Sequence, residues 1–300
     1  MVGEADRRIR LAVFSWLTEQ REVNETLSRD DLLNFSISGV RIPLLGPQGI
    51  FKPAACELPI SIATVEGNYP DEWDEEQGEL RYSYRGSDPN HSNNVGLRRA
   101  MAERIPLVYF FRVVPSRYVA MYPVFITGDD PTSLAFTVQV EDMGRTAQVL
   151  AGTTYDDAAG PVRRAYVTRV VRQRVHQAAF RERVVRAYRE QCALCRLRHQ
   201  VLLDAAHITP DREADSEPVI SNGVALCKLH HAAFDNFFFA IKPDFTIEVR
   251  PSILNEQDGP MLVVGLQQIN GRLIELPRRQ ADLPDPDRLA RRYAEFLRSA

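Results

Sequence analysis

Two short pairs of cysteine and histidine mark the chemistry that this chain could do. Cys192-x-x-Cys195 and Cys227-x-x-His230 lie in one stretch, and their spacing is that of a structural zinc site. Zinc takes four sulfur or nitrogen ligands in a tetrahedron, and two knuckles brought together supply all four. Between and just beyond the knuckles stand His207, Asn222 and His231, with Asp235 four residues after His231. A neutral imidazole can take a proton near neutral pH, and a second imidazole with a carboxylate can ligate a divalent ion. Each residue also has a plainer reading. A lone histidine is usually a surface or core residue, and Asn222-Gly223 is most simply a turn. Cys56 is the one cysteine outside the pairs. That pattern is metal arithmetic in a reducing compartment rather than a disulfide framework.

The elements that must position these groups are readable from the same stretch. Residues 201–208 read as a strand, 222–223 as a turn or strand entry, and 227–234 as a helix. Cys227 and His230 are three apart, so they share a helix face and can meet one zinc. His231 is rotated by about 100° from His230. It points elsewhere, and two adjacent histidines serving two metals is the coherent reading.

The run Leu202-Leu203-Asp204-Ala205-Ala206-His207-Ile208-Thr209-Pro210, the pair Asn222-Gly223 and the run His230-His231-Ala232-Ala233-Phe234-Asp235 carry a resemblance. Over about residues 175–275 the chain resembles the HNH, or ββα-metal, nucleases in the version found in bacterial restriction endonucleases. The resemblance implies phosphodiester hydrolysis of DNA. It makes His207 the general base that deprotonates the attacking water. It makes His231 a ligand of a catalytic Mg2+ or Mn2+, and gives Asn222 the task of holding the loop that orients His207. Many such domains have an aspartate immediately before the base, where this chain has Ala206. Asp204, three residues before His207, faces the opposite side in a regular strand and is discounted as a ligand. Asp235, one helical turn past His231, is taken instead.

Three hundred residues with 44% hydrophobic and 26% charged side chains suit a globular protein of two domains. The first ten residues carry no apolar signal core, and no run approaches the ~20 apolar residues of a membrane span. A cytoplasmic protein that does not engage membranes is expected. The formal charge of −3 conceals a basic middle: Arg163, Arg164, Arg169, Arg172, Arg174, Arg181, Arg183, Arg186, Arg189, Arg196 and Arg198 face only Glu182 and Glu190. Lysine occurs only at Lys52, Lys228 and Lys242. Arginine offers a planar fork of donors suited to phosphate, although GC-rich codon usage explains the bias equally well. Beside the nuclease-like motif, Arg163, Arg164, Arg172 and Arg181 are assigned to the phosphate backbone, the last two on a helix over residues 167–189. A solvated helix face is the plain alternative.

Residues 1–158 read differently: a helix over 5–21, a second from Ser28 with Asp31 as a short capping-box acid, then short strands at 40–45, 58–65, 79–85, 107–113, 118–126 and 134–140. The expected architecture is therefore α+β. A mostly-β N-terminal domain with leading helices (1–158) precedes a zinc-braced ββα-metal domain (159–300) that ends in a helix over 284–300. An HNH module alone has little sequence preference, so the N-terminal domain is expected to choose the target. Tyr82 and Tyr84 alternate on one strand face. With Tyr69 and Trp73 they could form an aromatic box for an extruded base, Arg85 and His91 lying nearby. Packing in a core is the competing reading for each of them.

The order of reader first and nuclease second resembles the modification-dependent (type IV) restriction endonucleases that recognise methylated cytosine. That implies double-stranded, 5-methylcytosine-containing DNA as partner. One buried methyl is worth only ~0.8 kcal/mol, so a reader needs further contacts. Cutting both strands with one site calls for a homodimer or two sequential nicks. Three other readings stand beside this one: a defence nuclease gated by a small ligand, an HNH enzyme that recognises unmodified DNA, and a DNA-binding protein whose metal site has decayed.

Overall fold

The computed structural model describes residues 2–64, 72–74, 79–141, 161–213 and 215–299. The chain forms two compact units, Met1–Val175 and His176–Ala300. The boundary expected between residues 158 and 159 lies outside the described residues.

The first unit opens with α1 (Glu4–Val23), which buries Val13, Phe14 and Leu17 and carries Glu4 and Asp6 in its first turn, where the helix dipole favours anions. After β1 (Leu27–Ser28) comes α2 (Arg29–Asn34), started by Ser28 and Asp31 in a reciprocal capping box as expected. The strands β2 (Ser36–Ile37) and β3 (Val40–Arg41) pair with each other alone. The main sheet uses β4 (Ser61–Ala63), β5 (Glu72–Asp74), β6 (Glu79–Ser83), β7 (Leu107–Val114), β8 (Arg117–Asp130) and β9 (Ala135–Val140) in the order β4-β7-β8-β9-β6-β5, with β1 pairing β8. The β4–β7 pair is parallel and the others are antiparallel. Leu107, Val108, Tyr109 and Phe110 are all buried, the unbroken apolar run of a strand covered on both faces. Val108 and Phe110 join α1 and α2 in one core.

Between β6 and β7 lies a helix that the sequence reading lacked, α3 (Ser92–Ala102). Its first turn, Ser92-Asn93-Asn94, has the composition of a loop, and that disguised it.

The second unit opens within α4 (Pro161–Ala187), whose Phe180, Val184 and Val185 join a core shared with the following hairpin. That hairpin is β10 (Leu203–His207) and β11 (Gly223–Cys227), antiparallel, with Leu203 opposite Cys227 and His207 opposite Gly223. The chain passes from β11 directly into α5 (Lys228–Asp235), giving the expected strand–strand–helix order. A second hairpin, β12 (Phe239–Ile241) and β13 (Ile247–Val249), follows. Three helices complete the unit: α6 (Pro251–Leu254), α7 (Pro260–Gly265) and α8 (Pro286–Ser299). Among the described residues no helix is long and apolar enough to cross a membrane.

Candidate active site

Both cysteine knuckles are pinned to the hairpin. Cys192 N donates to Leu197 O across the first turn, and Ala193 N reaches over to Ala225 O on β11 at 2.7 Å. The second knuckle straddles the junction of β11 and α5. Cys195 Sγ and Cys227 Sγ are thereby 3.9 Å apart, and His230 Nδ1 lies 3.1 Å from Cys227 Sγ and 3.4 Å from Cys192 Sγ. All four ligand atoms lie within 4.8 Å of one another. A tetrahedral zinc with Zn–S near 2.3 Å separates its sulfurs by about 3.8 Å, so this donor set fits zinc in identity and in size. His230 Nε2 lies 2.7 Å from the carbonyl of Gly265 at the end of α7. That bond puts the ring proton on Nε2 and turns Nδ1 towards the sulfurs, the outer support that metal-bound histidines generally have. The Cys195 thiol is pushed up, chiefly by its hydrogen bonds to Cys192 and Cys227, while Cys227 is pulled down by Cys192 and Cys195. A divalent cation would let all three ionise together.

His231, the next residue of α5, faces a different environment. Its Nδ1 lies 3.0 Å from Asp204 Oδ2 and its Nε2 lies 3.3 Å from Asp235 Oδ2, so the two carboxylates hold opposite edges of one ring. The hydrogen bond to Asp204 raises the His231 pKa above the ordinary histidine value. Asp204 is pushed up by burial but ends below the usual carboxylate value, because His231 bonds to it and Ala205 N donates to it.

Asp204, discounted as a metal ligand, meets His231 instead. Alternation does place it on the side of β10 away from His207, but position 206, where related domains carry their aspartate, is on that same side. Position 204 is its neighbour along the face, and that face meets α5.

His207 ends β10 and its ring stacks on Phe180 of α4, with centroids 4.0 Å apart and planes at 16°. Burial lowers its pKa; Asp211, Asp204 and Asp235 oppose that effect, and His231 adds to it. The imidazole is therefore held neutral, the form that can accept a proton. Asn222 is fully buried and spends its amide on the loop after β10. Oδ1 accepts from Thr209 N at 2.8 Å, and Nδ2 donates to Thr209 O, Glu217 O and Ser216 Oγ. It is the last residue of a short 3-10 turn, and Gly223 is extended (φ −134°), so Asn222-Gly223 is a strand entry.

Two residues of this region escaped the sequence reading. Phe180 carries no chemical signal of its own. Arg292 of α8 is nearly buried, donating to Phe234 O at 3.0 Å and Ile208 O at 3.3 Å, with Asp235 Oδ1 at 3.4 Å. Its guanidinium also lies 4.0 Å from the Phe234 ring centroid. An arginine reads as surface in a sequence, and nothing short of the fold shows it as core.

Several other assignments change. Arg181 is not a free phosphate contact, because its Nη2 donates to Gln200 O and Leu203 O at 2.8 Å each. The side chains of Arg163, Arg164 and Arg172 lie outside the described residues. Tyr82 and Tyr84 are only 4% and 3% exposed, which closes them to an extruded base. Tyr82 Oη donates to Ala63 O, and Tyr84 packs its ring on Phe136 and bonds Asp129. Their alternation was real, but the face they share is the covered one. His91 caps α3 by accepting from Asn93 N, and Arg85 is tied through its backbone to the buried Asn94. Tyr69 and the side chain of Trp73 lie outside the described residues.

Residues 192–242, the stretch that holds both knuckles, β10, β11 and α5, match the family model described as HNH endonuclease. This region is an HNH endonuclease domain. The matched stretch begins at Cys192 and ends one residue after β12. Among solved structures the chain is similar to one titled "Modification dependent TagI restriction endonuclease", at 18% identity and a TM-score of 0.31, over 79% of this chain and 81% of that one. It is also similar to "Structure of the Type IV phosphorothioation-dependent restriction endonuclease ScoMcrA", at 13% identity and a TM-score of 0.24, over 84% of this chain and 53% of that one. Comparison with curated proteins gives no match.

Proposed function

We propose that the chain is a metal-dependent DNA endonuclease that cuts with its HNH domain and takes its target, modified double-stranded DNA, through the N-terminal unit. One observation carries the nuclease part: a stacked, neutral imidazole (His207) and a second imidazole braced by two carboxylates (His231) stand on the hairpin and helix that the closed Cys3His cluster pins. His231 and Asp235 would hold a Mg2+ or Mn2+, which would supply positive charge to the phosphate being cut. Asp204 would fix the Nδ1 proton of His231 and so orient its ring. His207 takes a proton from the attacking water as that oxygen bonds to phosphorus, and the bond from phosphorus to the 3′-oxygen breaks. Asn222 holds the loop behind His207. The Arg163, Arg164 and Arg172 stretch of α4 is assigned to the backbone phosphates, where contacts position without reading sequence.

Target choice is assigned to the N-terminal unit because it has its own sheet and its own core. With Tyr82 and Tyr84 buried, a base pocket falls to Tyr69, Trp73 and Arg85. The test is cleavage and gel-shift of matched duplexes with and without 5-methylcytosine, using the full chain with Mn2+. Preferential binding and cutting of the methylated duplex is expected. Equal behaviour removes the methyl-reading claim, and cutting of neither removes the nuclease reading.

A further inference from the structure

The catalytic motif of the HNH domain leaves one wall of the site unassigned. It comes from α4, before the matched residues 192–242 begin. Phe180 is 2% exposed and lies nearly parallel to the His207 imidazole, centroids 4.0 Å apart. Three features fix it there. Val184, one turn later on the same face of α4, is fully buried in the same core. Arg181 donates to Gln200 O and Leu203 O, clamping α4 to the start of β10, the strand that carries His207. Gly223, directly opposite His207 in the hairpin, is where the ring passes close to the backbone. A Cβ built there would lie 2.8 Å from Phe180 Cζ and 2.5 Å from Val184 Cγ2. The missing side chain of Gly223 is the space that the aromatic ring and helix need.

We infer that Phe180 is a positioning residue for the general base: its ring fixes the plane of the His207 imidazole and closes one face of it to water. The imidazole then cannot swing about its ring torsion, and the attacking water reaches it only along its open edge. A ring that is correctly aimed before substrate arrives loses no ordering entropy in the reaction, and small misplacements of catalytic groups have rate effects on the order of 100-fold.

This inference rests on His207 being the base, and the experiment separates the two. Phe180→Leu keeps apolar volume and removes the flat ring. Single-turnover cleavage of a 5-methylcytosine plasmid and its unmethylated counterpart would be followed with Mn2+ for the full-length wild type, Phe180→Leu, His207→Ala and the double variant. Zinc content and thermal unfolding would be measured in parallel. Phe180→Leu is expected to slow the cleavage step by about 10- to 100-fold, with the half-saturating DNA and Mn2+ concentrations and the zinc content unchanged. In the His207→Ala background the same substitution should change the residual rate by less than twofold. Losses that multiply in the double variant, or a Phe180→Leu defect seen only as weaker DNA binding or lost zinc, overturn the positioning role. Full activity of His207→Ala overturns the base reading instead, and failure of the wild type on both plasmids overturns the nuclease reading.

Discussion

His230 and His231 are neighbours on one helix of eight residues, yet their surroundings are opposites. His230 is 1% exposed, faces three sulfurs and has its far nitrogen occupied by a backbone carbonyl. His231 is 23% exposed, faces two carboxylates, and one of these, Asp235, is 54% exposed. The first arrangement offers one ion four protein ligands, all that a tetrahedral zinc takes. The second has one ring edge braced by Asp204 and the other set against the exposed carboxylate of Asp235. Closed sites hold a fold together, and sites with an open position do chemistry. On the proposed reading the difference between the two histidines is the difference between structure and catalysis, and it can be tested one ligand at a time.

The harshest test acts on the closed side. Cys227→Ser, or prolonged chelation, should release zinc and unfold the second unit, because binding of a structural zinc is worth ~10 kcal/mol or more in small zinc domains. Metal analysis and circular dichroism would show this. A folded, zinc-free HNH domain would break the comparison.

On the open side, His207→Ala should lower the cleavage rate by about 10²- to 10⁴-fold while zinc content stays intact. The pH dependence follows from the same group. The base works in its neutral form, and burial lowers the His207 pKa below the ordinary histidine value of about 6.5. The rate should then rise with pH and pass its half-maximum below that value; a half-maximum well above it contradicts the buried, stacked imidazole.

Smaller effects separate the two carboxylates. Asp235→Asn should raise the Mn2+ concentration needed for half-maximal rate. Asp204→Asn should lower metal affinity or rate by about 10- to 100-fold, the usual loss when the support of a metal-bound histidine is removed. If Asp204→Asn is silent, the bracing of His231 has no consequence for catalysis.

The smallest effect is expected at Gly223→Ala. The added methyl would press on Phe180 and Val184, at a stability cost of about 1–3 kcal/mol. Thermal unfolding measures it directly.

Spacing carried much of this site and surroundings carried the rest. The knuckles could be read because a pair three apart on a helix and a pair three apart in a turn have few uses other than one ion. The strand–strand–helix order was legible for a similar reason: β10 and α5 differ from their expected bounds by a residue or two, and β11 starts at the expected turn or strand entry. The contact of Asp204 with His231 was missed because alternation was counted from His207, whereas Asp204 shares the face of Ala206. Phe180 and Arg292 were invisible because their roles lie in what packs on them, from helices outside the motif. In the first unit the alternation of Tyr82 and Tyr84 gave the right strand, but could not say which face the sheet would cover. A period of two identifies a face and leaves its environment open.

The adjacency of His230 and His231 has a mechanical consequence. One step along an α-helix is a turn of about 100° and a rise of about 1.5 Å, so neither ring can be displaced by a shift of α5 without carrying the other. The short helix works as an interlock: a disturbance that loosens the brace also misaims the blade, and partial failure of one without the other is mechanically excluded for any rigid movement of α5.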